Sequence, residues 1–223
     1  MIDYKINTEY KIRKVILMGA QGSGKSTQSK VLTDYLDINI LAAGDLLRSA
    51  IRQKTELGVR IEHFVNNGEM IPDSLMVSLM LGELKKEEYK KGFLIDGFPR
   101  TIYQASNLDQ HYLVDLVINI DISDDIAINR IVGRRICRNG HVFHIQHNPS
   151  SLDSACEICH EPLHFREDDR EDLLRKRLKY YREETSKLLE YYEQQNKLVH
   201  IDGRGTIADV AKLIIAYLDK HAR

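Results

Sequence analysis

The chain has 223 residues, 43% hydrophobic and 29% charged, enough for one large core with small inserted lobes and too apolar for a disordered chain. Its 32 basic and 33 acidic residues leave a formal net charge of -1, which argues against a general nucleic-acid binder, so any anion site must be local. No apolar run approaches the ~20 residues that span a bilayer. The polar stretch Met1 to Lys14 lacks the apolar heart of a secretory signal. The expectation is a cytoplasmic protein with neither nucleic acid nor membrane as partner.

Lys14 to Met18 (KVILM) is a continuously apolar run that stops at glycine, the mark of a buried parallel strand. Gly24 to Leu36 follows with helical spacing. Three more buried strands are predicted at Gly92 to Ile95, Val114 to Ile120 and Leu198 to Ile201. Helical patterns cover Ser74 to Tyr89, Asp124 to Arg134, Asp169 to Gln195 and Thr206 to His221. Such alternation predicts an α/β protein with a parallel sheet covered on both faces.

The stretch Ile136 to Phe165 breaks this rhythm. It holds all three cysteines, a cluster of histidines and Asn139-Gly140, and reads as small hairpins in an inserted lobe. The helix beyond it opens Asp169-Arg-Glu-Asp172, where Asp169 is placed to cap. Glu171 with Arg175 and Asp172 with Lys176 stand four apart on its solvated surface.

Gly19-Ala-Gln-Gly-Ser-Gly-Lys-Ser26 fits the P-loop pattern G-x-x-x-x-G-K-[ST], between a predicted strand and a predicted helix. Gly22 and Gly24 let the backbone turn its N–H groups inward as an anion nest. Lys25 would reach the β- and γ-phosphates of a nucleotide, and the Ser26 hydroxyl would approach Mg²⁺. The dipole of the following helix favours the same anion.

Four further segments stand in order downstream: Ala43-Gly-Asp-Leu-Leu-Arg48, Gly92-Phe-Leu-Ile-Asp-Gly-Phe-Pro-Arg-Thr-Ile-Tyr-Gln104, Arg130-Ile-Val-Gly-Arg-Arg135 and Arg166-Glu-Asp-Asp-Arg-Glu-Asp-Leu-Leu-Arg-Lys-Arg177. With the P-loop they resemble the nucleoside monophosphate kinases, specifically the long-lid adenylate kinases, from about Lys14 to the C-terminus; the first dozen residues look like an extension. The resemblance implies the P-loop NMP-kinase fold: a five-stranded parallel sheet flanked by helices, with an NMP-binding insertion and a zinc-stapled lid. It divides the chain into a core (1–41, 73–133, 169–223), an NMP-binding domain (42–72) and a lid (134–168). It implies Mg-dependent, reversible phosphoryl transfer from ATP to AMP by a monomer. That reaction is mostly positioning and charge stabilisation, for which arginine is suited.

By the same resemblance, Lys25, Arg100, Arg134, Arg166 and Arg177 are the catalytic cations. ATP would lie on Gly22, Ser23, Gly24, Lys25, Ser26 and Thr27, with Arg130, Arg134, Val142, Phe143 and Gly205. AMP would meet Ala43, Arg48, Glu69, Met70, Ile71, Gly97, Phe98, Pro99, Arg100 and Gln104, with Arg166 and Arg177. Asp96 would hold Mg²⁺ through water beside Ser26, and Asp168 and Asp169 would help close the lid. Arg135, Arg170 and Arg175 read as solvated or locally paired. The family's usual Ser-Thr-Gly-Asp is Ala42-Ala43-Gly44-Asp45 here, and Gln21 and Ser26 replace its most frequent proline and glycine. Ala at position 43 also suits UMP/CMP kinases, whereas Thr101 with Gln104 suits AMP, since a glutamine amide can pair with adenine's edge. A UMP/CMP-preferring kinase of this fold stays open as the alternative. A remoter one is a zinc-ribbon nucleic-acid-binding P-loop protein.

Cys137 and the Cys156-x-x-Cys159 pair have the spacing of two zinc knuckles, with one of four ligand places left for a histidine. A two-residue turn at Asn139-Gly140 would set Cys137 opposite Val142 and put His144 on its face. The expected set is therefore Cys137, His144, Cys156 and Cys159, with His141 second and His160 third, and the ion structural rather than catalytic.

Overall fold

Continuously apolar strands need cover on both faces, and that requirement organises the molecule. The computed structural model describes residues 11–67, 69–166 and 169–221; Asp168 and most of the N-terminal extension lie outside them. In chain order the elements are β1 (Lys14–Met18), α1 (Lys25–Leu36), β2 (Asn39–Ala42), α2 (Ala43–Arg52), α3 (Glu56–Asn66), α4 (Asp73–Leu84), β3 (Phe93–Asp96), α5 (Ile102–Asp109), β4 (Leu116–Asp121) and α6 (Asp124–Val132). There follow β5 (Arg134–Ile136), β6 (Val142–His144), α7 (Glu171–Tyr180), a π-helical turn (Tyr181–Thr185), α8 (Ser186–Glu193), β7 (Leu198–Asp202) and α9 (Ile207–His221).

Five parallel strands form one sheet in the order β2-β3-β1-β4-β7. Alternation along β1 divides the core. Ile16 and Met18 join Leu41, Phe93, Ile95 and Val117 under α4, α5 and α8, while Val15 and Leu17 join Leu94, Ile118 and Ile120 under α1 and α9. The register Leu17↔Asp96 and Ala42↔Asp96 brings three strand ends to one edge, immediately before the P-loop. In sheets of this type, ligands bind beyond the carboxyl ends of the strands, where the chain departs in opposite directions.

The sheet matches the expectation, but β2 is an element that the apolar pattern alone does not mark. The predicted helix 74–89 ends at Leu84, and the long helix predicted from Asp169 begins at Glu171 and is interrupted by the π turn. Asp169 is not its cap. Arg170 holds that place, and among the described residues its side chain makes no capping hydrogen bond. Glu171 pairs with Arg175 at 2.7 Å as expected, whereas Asp172 pairs with Arg170 at 2.9 Å instead of with Lys176. Among the described residues, no helix is long and apolar enough to cross a membrane.

Candidate active site

The P-loop closes on its own lysine. Gly19, Gly22 and Gly24 have φ of 145°, 88° and 97°, which an L side chain rarely adopts. A Cβ at Gly19 would also fall 2.5 Å from the Ile120 carbonyl oxygen. The Lys25 ammonium donates to the carbonyls of Gly19 (2.7 Å) and Ala20 (2.8 Å). Ser26 Oγ donates to Asp96 Oδ2 at 3.0 Å, so P-loop and β3 meet in one polar contact. Ser23, only 2% exposed, has its hydroxyl in this loop with no partner among the described residues.

Cations gather over this loop. Burial pushes the Lys25 ammonium down to about 8; Asp96 opposes the shift, while Arg100 and Arg134 add to it. Burial also lowers the Arg100 guanidinium, Arg177 lowers it further, and Asp96 counteracts both. Lys25 is half-buried and Arg100 exposed, yet protein atoms crowd their charged ends. Arg134 is held by Asp169, which is fully buried and takes its Nε at 2.7 Å and its Nη2 as well. Gln21 ties the loop to the same group: its Nε2 donates to Asp169 Oδ1 (3.3 Å), and its Oε1 accepts from Arg177 (3.4 Å). The sequence singles out Gln21 only as a departure from pattern; its partners lie 148 and 156 residues away.

Thus Lys25, Asp96, Arg100, Arg134 and Arg177 come together. Gly97 adjoins both the Arg100 guanidinium and Ala43, since a Cβ on it would lie 3.6 Å from Arg100 Nη2 and 3.7 Å from Ala43 Cβ. Arg48 is paired with Asp45 on its own helix. Arg130 donates to the carbonyls of Gly203 (2.9 Å) and Gly205 (3.4 Å), placing it against the β7–α9 turn. Gln104 is buried, and Phe98 and Ile71 are core residues. Phe143 is committed to the lid's small core with Cys137, Cys156 and Leu163, while Val142 on the other face is exposed. Arg135 lies over the Phe165 ring at 5.6 Å.

In the lid, the hairpin is not the one expected. Cys137 N–H donates to the His141 carbonyl (3.1 Å) and Gly140 N–H to that of Cys137 (2.9 Å), so the loop has three residues, Arg138 to Gly140, with Gly140 at φ 85°. The extra residue moves the pairing: Ile136 stands opposite Val142, and Cys137 faces His141. The fourth member of the cysteine cluster is therefore His141, a correction to His144. His141 Nδ1 lies 3.4 Å from both Cys137 Sγ and Cys156 Sγ, and Cys159 Sγ lies 3.6 Å from Cys137 Sγ. His144 packs over Gly133, accepts from the backbone N–H groups of Gln146 and His147, and is depressed below the usual imidazole range by burial. The Cys159 thiol is lowered, first by the Glu161 backbone N–H, and burial raises that of Cys156.

A parallel sheet that turns its strand ends onto a P-loop, with Lys25, Arg100, Arg134 and Arg177 gathered beside Asp96, defines a P-loop protein with a site for phosphate. Comparison with known proteins narrows this. A family model described as adenylate kinase matches residues 17–197. Over 211 residues the chain is 41% identical to a protein named adenylate kinase from Alkaliphilus oremlandii (strain OhILAs), covering 92% of this chain and 98% of that one. A namesake from Caldicellulosiruptor bescii (strain ATCC BAA-1888 / DSM 6725 / KCTC 15123 / Z-1320) is 38% identical with the same coverage. Another, from Methanosarcina mazei (strain ATCC BAA-159 / DSM 3647 / Goe1 / Go1 / JCM 11833 / OCM 88), is 37% identical over 213 residues, 93% of this chain and 99% of its own. The chain belongs to the adenylate kinase family.

Proposed function

We propose that the protein transfers the γ-phosphoryl group of ATP to AMP, reversibly, giving two molecules of ADP. The observation that carries this reading is the convergence of Arg100, Arg134 and Arg177 on the P-loop lysine and Asp96, from four separate parts of the chain. An oxygen of the AMP phosphate attacks the γ-phosphorus, and the bond from that phosphorus to the bridging oxygen of ADP breaks. No covalent enzyme intermediate is needed. The N–H groups of Gly22 to Thr27 and the Lys25 ammonium hold the β- and γ-phosphates. Arg48 and Arg100 hold the AMP phosphate, and Arg134, Arg166 and Arg177 stabilise charge on the group in flight.

Arg130 and Gly205 flank the adenosine of ATP, together with Val142 and the backbone of Phe143. Ala43, Glu69, Met70, Ile71, Gly97, Phe98, Pro99 and Gln104 receive AMP. Segments 42–72 and 134–168 close over the two nucleotides and exclude water, which would otherwise take the phosphoryl group. Mg²⁺ fits the oxygen pair of Ser26 and Asp96, a hydroxyl beside a carboxylate, and when bound would neutralise phosphate charge. Zn²⁺ fits Cys137, His141, Cys156 and Cys159. Three of their separations, 3.4 to 3.6 Å, are close to the edges of a tetrahedron with metal–ligand bonds of about 2.0–2.3 Å, and all four ligand atoms lie within 4.8 Å of one another. A closed four-ligand site would staple a lobe whose own core is only a few side chains.

The test is a coupled ADP-release assay with AMP, GMP, CMP and UMP as acceptors. AMP should be preferred, and Lys25→Ala or Arg100→Ala should collapse turnover in a folded protein. Near-normal activity in either variant would refute the role assigned to it.

A further inference from the structure

We infer that Asp73 is a positioning residue that fixes the orientation of the Gln104 carboxamide and so decides which purine the acceptor site takes. The inference rests on the reading of Gln104 as part of the acceptor site. Gln104 stands in the first turn of α5 and is only 1% exposed, so its amide depends on protein partners. Its Nε2 donates to Asp73 Oδ1 at 2.7 Å, and its Oε1 accepts the Arg100 backbone N–H at 2.8 Å. A carboxylate can only accept and a peptide N–H can only donate, so exchanging the amide's oxygen and nitrogen would turn both contacts into mismatches.

Asp73 is itself held. It is the first residue of α4, where the helix dipole favours a negative charge. Its Oδ2 accepts from Thr101 Oγ1 at 2.7 Å, and that same hydroxyl caps α5 by accepting the Gln104 N–H at 3.2 Å. The starts of α4 and α5 are thereby joined through one carboxylate. The hydrogen bonds that set the amide's direction come from Asp73 and the Arg100 backbone, with Thr101 holding Asp73.

The two partners use one N–H and one lone pair of the carboxamide, leaving one of each. Adenine presents an acceptor at N1 and a donor at its 6-amino group. Hypoxanthine and guanine present the reverse, a donor at N1 and an acceptor at O6. An amide locked in one sense matches adenine and leaves mismatched polar groups against a 6-oxopurine; an amide free to turn matches either. A site built to hydrogen-bond one pattern rejects the other strongly, because the groups left unpaired are buried.

The test compares kcat/KM for AMP and for IMP, whose hypoxanthine carries the reversed edge without guanine's extra amino group. In Asp73→Asn the new amide can present either an oxygen or a nitrogen to Gln104, so one half of the lock is lost. The preference for AMP over IMP should fall by about tenfold or more, with the KM for ATP within about twofold of the parent. The preference is a ratio measured on one preparation, so it is insensitive to the folded fraction. Asp73→Ser, smaller and equally able to donate or accept, should move it the same way. An unchanged ratio in both variants, whatever happens to total activity, would overturn the inference alone. A parent enzyme that prefers CMP or UMP to AMP would overturn the acceptor reading and this inference with it.

Discussion

Binding of ATP at alkaline pH should draw a proton out of solution and onto Lys25. In the free protein the ammonium lies against the Gly19 and Ala20 carbonyls, and burial, aided by Arg100 and Arg134, lowers it to about 8 against the Asp96 attraction. At about pH 8.5 a group of this kind is neutral in about three quarters of the molecules, and at about pH 7 in about one tenth. Triphosphate oxygens placed beside it favour the charged form. Binding should therefore take up about 0.7 proton at about pH 8.5 and about 0.1 at about pH 7. Titration calorimetry in two buffers of different ionisation enthalpy reads that number directly. Lys25→Arg, charged throughout, should show none. Uptake near zero in the parent at about pH 8.5, or equal uptake in the arginine variant, would refute the reasoning. The sign carries over to folding. The unfolded lysine keeps its proton up to 10.5 and the folded one only to about 8, so between those values the unfolded state binds more protons. This group's contribution to stability therefore rises with pH across that window, and its penalty is fully present below it.

The zinc reading separates two histidines: His141→Ala should lose the metal, as measured by plasma emission, and lower the thermal midpoint by about 5 °C, while His144→Ala keeps one ion per chain. Metal retained by the first variant and lost by the second would reverse the assignment. Asp169→Ala strips Arg134 of its buried partner and should cost about 2–3 kcal/mol in urea unfolding, less than a fully buried pair because Arg134 is 21% exposed. A loss below about 0.5 kcal/mol would show the pair to be dispensable. Tyr192 is fully buried with a hydroxyl that has no partner among the described residues, so Tyr192→Phe should be neutral or stabilise by about 1 kcal/mol. A marked drop in midpoint would mean that the hydroxyl is satisfied after all.

Much of the core was legible because its signals are local. KVILM reads as a buried strand from five consecutive residues, and the P-loop from eight whose glycines are needed by the backbone itself. β2 escaped because an edge strand needs apolar cover less: Asn39 and Ile40 are exposed, and only Leu41 is fully buried. Asp169 has every local attribute of a cap, and its true partner stands 35 residues earlier. Composition at the helix end cannot reveal that. His141 ranks only second in the sequence through a single residue of turn length, since Asn-Gly serves both a two-residue hairpin and a three-residue one with glycine at the left-handed position. The Asp73–Gln104 contact spans 31 residues and no periodic signal announces it.

The π turn at Tyr181–Thr185 has a bearing on how one rod serves two masters. Before it, Leu174 and Leu178 pack beside α6 and Arg177 reaches Gln21; after it, Leu188 and Tyr192 pack under the central sheet. One surplus residue in a helical turn advances everything downstream by about 100°. Phosphate-facing charge and sheet-facing bulk can then occupy different flanks without a break in the helix. Deleting any one residue of that turn would restore even winding and leave one flank pointing the wrong way.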